Sequence, residues 1–139
     1  MTMRASRFGF GVTEGLLLAS GLVAVTVAAT TFVAPDILFA AYGIDVRSDV
    51  NLTNELKAPE GVLLVTGLLA LSGVFRTELT KPALVTAAAV YLAYGLSRLL
   101  SIAMDGIPSI ALVVAGVVEM SLGLACLLHV ALRRGVISG

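Results

Sequence analysis

One arginine stands in a stretch that is otherwise apolar enough to cross a bilayer. From Pro82 to Met104 the chain reads PALVTAAAVYLAYGLSRLLSIAM, and Arg98 is the only charge in it. A lone charge near mid-bilayer costs roughly 2.5–3.5 kcal/mol on insertion scales, so neighbouring segments are expected to bring it a partner. Two carboxylates qualify by position: Glu119, within the apolar run Pro108 to Leu132, and Glu60, at the margin of the run Gly61 to Phe75. Tyr94 and Ser101 lie four residues before and three after Arg98, which puts them on its helical face. A guanidinium fork matches a carboxylate bidentately, and such a pair removes much of the insertion cost. Three readings follow. The pair could fix helix register; two acids around one arginine could form a polar pocket open to the outer leaflet, holding a proton or the head group of a lipid or quinone; or the charges could meet another subunit.

A weaker cluster is expected at the opposite membrane face, where Glu14, His129 and Arg133 fall near one depth. Long basic side chains at span ends snorkel to water and pair there. A proton relay or metal site would need more than one histidine and scattered acids. The single cysteine, Cys126, leaves no internal disulfide and no thiolate metal cage, and it reads as a small packing residue. Asn54, Glu55 and Lys57 precede the second apolar run, and Asp105 follows the third. The sequence holds no phosphate-cradling loop, no His-Glu zinc helix and no nucleophile beside a base. No catalytic residue, cofactor or metal is expected, and nine basic residues against nine acidic ones create no field for nucleic acid.

These residues need a scaffold, and the composition names it. Of 139 residues, 58% are hydrophobic and 13% charged, with a mean hydropathy of +1.03. A soluble domain carries about a quarter of its residues charged. Four long apolar runs predict an all-α, single-domain, integral membrane four-helix bundle over residues 1–139, with spans at about 14–34, 59–76, 82–104 and 108–132. Arg4 and Arg7 ahead of the first run also fit a signal peptide, but the length of that run favours a retained span. Pro35 to Ile44 predicts a short interfacial helix, with Phe39 and Tyr42 at the water boundary and Gly43 as a stop. Asp45 to Lys57 predicts a loop, Arg76 to Lys81 a tight basic turn, and Asp105 to Pro108 a second turn. Gly21, Gly67, Gly73, Gly95, Gly116 and Gly123 would allow close helix approach.

Four spans put both termini on one side, with Arg4, Arg7, Arg76, Lys81, Arg133 and Arg134. The other side carries Arg47, Lys57 and the acids Asp36, Asp45, Asp49, Glu55 and Asp105. The positive-inside rule then predicts a bacterial inner-membrane protein with both termini cytoplasmic. Short turns also set depth: Arg98 should lie level with Ala115 and with Glu60, and Glu119 with Tyr94. All three ionisable groups are therefore expected to converge in the outer half of the bundle. Glu14-Gly15-Leu16-Leu17 through Gly21-Leu22 echoes Glu60-Gly61-Val62-Leu63 through Gly67-Leu68, and Glu119 opens a fainter copy. An inverted repeat and chance recurrence of leucine and glycine explain this echo equally well.

The segment Asn54-Glu55-Leu56-Lys57-Ala58-Pro59-Glu60-Gly61, the run Tyr91 to Ser101 with Arg98, then Asp105-Gly106 and Glu119 carry a resemblance. Over Tyr42 to Leu128 the sequence resembles a bacterial four-helix membrane family known as domain of unknown function 4345, itself similar to the DoxX-like group. Lys57 stands where that family more often has arginine, which weakens the case for a bidentate contact there. The resemblance implies the fold and the Arg98–Glu119 pairing, brings no activity, and through DoxX-like relatives implies a link to membrane redox partners. The leading expectation is a small non-enzymatic accessory or assembly subunit, or a homo-oligomer, within a membrane complex. The alternative is a binder or carrier of a lipid or quinone in the outer pocket. A proton-coupled transporter would need a polar path between the two clusters, and uncharged residues fill the levels between them.

Overall fold

The computed structural model describes residues 11–47 and 49–135. Arg4 and Arg7 lie outside the described residues. The described chain forms five helices: α1 (Val12–Val33), α2 (Pro35–Ala40), α3 (Val50–Phe75), α4 (Thr77–Asp105) and α5 (Ile110–Gly135). Helices α1, α3, α4 and α5 are long and apolar enough to cross a membrane, and α2 is the short helix between the first two of them. The chain is an all-α, multi-pass membrane protein. At ~1.5 Å per residue, α1 is about 33 Å long and α4 about 43 Å, enough for a hydrocarbon core of about 30 Å.

The helices run past the apolar stretches. The loop expected over 45–57 ends at Asp49, because Asp49 caps α3: its Oδ1 accepts the backbone N–H groups of Asn51 at 2.9 Å and Leu52 at 3.0 Å. Thr53 adds to this cap, donating its hydroxyl to the carbonyls of Val46 and Asp49. Pro59 therefore sits well inside α3 rather than at its start. It removes one backbone donor, at a level where Asn54, Glu55 and Ala58 are exposed, so the freed carbonyl can be met from outside the bundle. The basic turn expected over 76–81 shrinks likewise to Arg76, with Pro82 in the second turn of α4. The Thr80 hydroxyl closes this corner by donating to the carbonyl of Gly73 at 2.9 Å.

Helix α1 packs along α3, α3 against α4, and α4 along α5. The core is built from small side chains, among them Ala24, Ala28, Ala70, Ala83, Ala87 and Ala88, around Leu17, Leu63, Leu84, Tyr91 and Cys126. Gly67 lies at a close approach of α1 and α3. A Cβ there would lie 2.8 Å from Val25 Cγ2 and 2.9 Å from Ala24 Cβ. Gly21, its counterpart in the sequence echo, faces the carbonyl of Gly67 across the same contact, which gives the echo a packing reason. Polar bonds tie α1 to the other helices: Tyr91 donates its hydroxyl to the carbonyl of Ser20 at 2.6 Å, and Ser20 Oγ lies 3.6 Å from Cys126 Sγ.

Beyond the second half of α1, α2 and the following turn form a small plug. Phe39 and Val46 are buried, Phe39 and Tyr42 meet edge to face with ring centroids 5.9 Å apart, and Arg47 Nε and Nη2 donate to Asp36 Oδ2 at 3.2 and 2.8 Å. The Arg47 guanidinium holds the Asp36 carboxyl below its ordinary range.

Gly67→Val should separate α1 from α3 and lower stability by about 1–3 kcal/mol, seen in denaturation in detergent. Gly61→Ala, where the new methyl meets nothing within 4 Å, should be neutral or slightly stabilising. At the plug, a depressed carboxylate pKa means that the Asp36–Arg47 tie is present above the ordinary value of about 3.9 and fades as pH falls through the lower folded value. Hydrogen exchange over residues 41–47, corrected for intrinsic rates, should rise through that window, and Asp36→Asn should show the raised exchange at neutral pH.

Candidate functional site

The carboxylate that meets Arg98 comes from α5. Arg98 Nε donates to Glu119 Oε2 at 2.7 Å and Nη2 donates to Oε1 at 3.1 Å, a side-on bidentate pair. The stem of Arg98 reaches it by crossing Gly116: a Cβ on that glycine would lie 3.1 Å from Arg98 Cδ. The register is set by the same packing, with Gly95 lying against Met120. The pair is only half-buried, with 32% of the arginine side chain and 15% of the glutamate side chain exposed. Glu119 is the only hydrogen-bond partner of Arg98 among the described residues, so three of the five guanidinium N–H donors are left for another group.

Glu60 does not join this pair as expected. It lies on the inward face of α3 with Leu63, Gly67 and Ala70, is 8% exposed, and has electrostatic reach to Arg98 and Glu119. Its Oε2 is fully buried with no hydrogen-bond partner among the described residues. Arg98 instead directs its Nε and Nη2 edge to Glu119 on α5. Tyr94, on the same side of α4, donates its hydroxyl to the carbonyl of Pro59 at 3.2 Å and so ties α4 to α3 beside Glu60. Ser101 donates to Asp105 Oδ2 at 3.0 Å, one turn along α4.

A groove of about 310 Å³ runs between α4 and α5 at this end of the bundle. Arg98, Ser101 and Ser121 give it polar points, and Leu99, Ile102, Leu112, Val113, Val117 and Met120 supply apolar wall. Glu60 and Glu119 do not line it, so the expected three-charge pocket gives way to a groove edged by Arg98 alone of the three. Asn54 and Glu55 are exposed and Lys57 half-buried near the start of α3; none of them forms an ion pair among the described residues.

At the opposite end the centre is a residue that sequence reasoning missed. Buried Thr13 places its hydroxyl 2.8 Å from His129 Nε2 and accepts from Arg133 Nη2 at 2.8 Å, joining the start of α1 to the end of α5. Glu14, expected to pair with the bases, instead accepts the backbone N–H of Gly11 at 3.0 Å and caps its own helix. The only hint in the sequence was a hydroxyl beside Glu14 in the first turn of a span. Among the described residues no three His, Cys, Asp or Glu side chains converge on a metal-sized point.

The half-burial of the Arg98–Glu119 pair sets its strength. Removing one partner of a fully buried pair costs about 3–5 kcal/mol, and solvent access reduces that here. Arg98→Ala should destabilise by about 2 kcal/mol, and Arg98→Ala with Glu119→Ala should recover part of the loss. A double-mutant cycle in micelles measures the coupling directly, and additive losses would contradict a structural role for the pair.

No curated protein and no solved structure matches the chain. A family model described as a domain of unknown function (DUF4345) matches residues 12–130, which takes in the first three spans, most of the fourth, and Glu60, Arg98 and Glu119. The chain belongs to that family.

Proposed function

We propose that this protein is a non-enzymatic membrane protein that holds the polar head of a small hydrophobic molecule, a lipid or a quinone, against Arg98. The observation that carries the reading is the groove between α4 and α5. An arginine with donors to spare edges an apolar channel whose volume of about 310 Å³ sits at the small end of ligand sites, roughly 300–1,000 Å³. That volume suits a head group, with the tail continuing into the membrane. Intramembrane ionisable residues are functional-site hypotheses by default, and among the described residues Arg98 is the one charged side chain that lines this groove. The distribution of basic residues supports a bacterial inner membrane with both termini in the cytoplasm.

A second reading, an accessory or assembly subunit or a homo-oligomer in a larger membrane complex, draws on α5. This helix is the least covered of the four spans, with Val114, Val117, Leu124, Leu128 and Leu132 facing outward. Lipid satisfies such a face as well as protein does, so the groove weighs more. Similarity to DoxX-like proteins would add membrane redox partners to either reading.

The test is to purify the protein in mild detergent and identify what stays bound by mass spectrometry of the extract. An amphiphile should co-purify with the wild-type chain. It should be lost from Arg98→Gln and from Val113→Trp, which fills the groove without touching the ion pair. A Val113→Trp protein that keeps its amphiphile rules out the groove, and a stoichiometric protein partner with no amphiphile favours the second reading.

A further inference from the structure

At the end of the bundle away from Arg98, a cavity of about 390 Å³ opens between the starts of α1 and α4 and the end of α5. It is lined by Thr13, Thr77, Thr80, Lys81, Arg133 and Glu14, with Leu84 and Val130 on its apolar side. We propose that this cavity binds the phosphodiester head group of an anionic lipid from the adjacent leaflet.

Three independent features select an anion there. Lys81 and Arg133 bring two positive charges against the single carboxylate of Glu14, which is already bonded to the Gly11 N–H. Helices α1 and α4 both begin at this cavity, so two sets of first-turn N–H groups and two positive dipole ends point the same way. Arg133 is also held in place, because one of its Nη2 hydrogens bonds Thr13, itself fixed by His129. That bond leaves the rest of the fork for a phosphate. The Thr80 hydroxyl donates to the Gly73 carbonyl, whereas no hydrogen bond of the Thr77 hydroxyl occurs among the described residues, so Thr77 can donate to a guest.

The apolar wall decides between a lipid and a soluble phosphate. Leu84 is buried in the core cluster and Val130 packs against it, so the cavity grades from cations at the helix ends to hydrocarbon deeper in the bundle. A free oxyanion gains nothing from that wall, whereas acyl chains do. Basic pockets between spans on the positively charged side of a membrane protein are suited to anionic head groups, each base contributing about fivefold in binding. This site is separate from the groove at Arg98, so either assignment can fail without the other.

The full chain, delipidated in detergent, is titrated with phosphatidylglycerol, with phosphatidylcholine and with inorganic phosphate. Bound lipid is counted by native mass spectrometry and thermal stabilisation is followed in parallel. Phosphatidylglycerol should be retained and should raise the melting temperature, with phosphatidylcholine and inorganic phosphate far weaker. Lys81→Gln should weaken retention about fivefold, and Lys81→Gln with Arg133→Gln more than either alone. Arg133→Lys, which keeps the charge and loses the fork, should fall between. Arg76→Gln removes an exposed base at the same end that does not line the cavity, and it should leave retention unchanged. Equal loss from Arg76→Gln and Lys81→Gln would reduce the effect to general surface charge and overturn the site. Equal retention of phosphatidylcholine would overturn the selection for an anion, and stabilisation by inorganic phosphate alone would overturn the assignment to lipid.

Discussion

Lipid tails are as apolar as leucine, so burying leucine between these helices offers little over leaving it in the bilayer. That constraint governs the architecture. What holds the spans together is close backbone approach, dispersion between small side chains, and a few polar bonds that would otherwise be unsatisfied in hydrocarbon. The alanine-rich core, the Gly67 crossing and the Tyr91 hydroxyl on the Ser20 carbonyl are three forms of that solution. The Arg98–Glu119 pair is the fourth and the most directional, because it fixes the level of α5 against α4.

The polar bonds are distributed unevenly along the bundle. In the half of the bundle near Thr13, α5 is tied to α1 through His129, Arg133 and Cys126. In the other half its recorded polar tie runs to α4 alone, through Glu119. The groove between α4 and α5 lies at the level of that tie, and Arg98 stands on its edge with unused donors. The two ends of the bundle also differ in sign. Acids gather around α2 and the start of α3, whereas Lys81 sits near the start of α4 and Arg133 near the end of α5.

Much of this was readable from residue order. Four apolar runs, a short helix after Pro35, and breakers at 105–108 define the element count, because hydropathy over some twenty residues is a strong signal. Helix starts were less legible. Pro59 and Pro82 look like first-turn prolines, yet Asp49 and Arg76 are the caps, and a short Asp-led cap is easily hidden in a polar segment. The charge at Arg98 demanded an acid, and two were available at compatible depth.

Residue order constrained the relative level of groups on successive helices, since short turns link their positions at ~1.5 Å per residue. It also determined that an arginine at such depth would be paired. Tertiary structure alone decided which acid took the pair, that Glu60 Oε2 would be buried apart from it, and that Thr13 rather than Glu14 would join the start of α1 to the end of α5. The reason is geometric: depth is one coordinate, fixed by counting residues, whereas which helix face meets which neighbour depends on rotations and crossings that small residues on all four helices settle together.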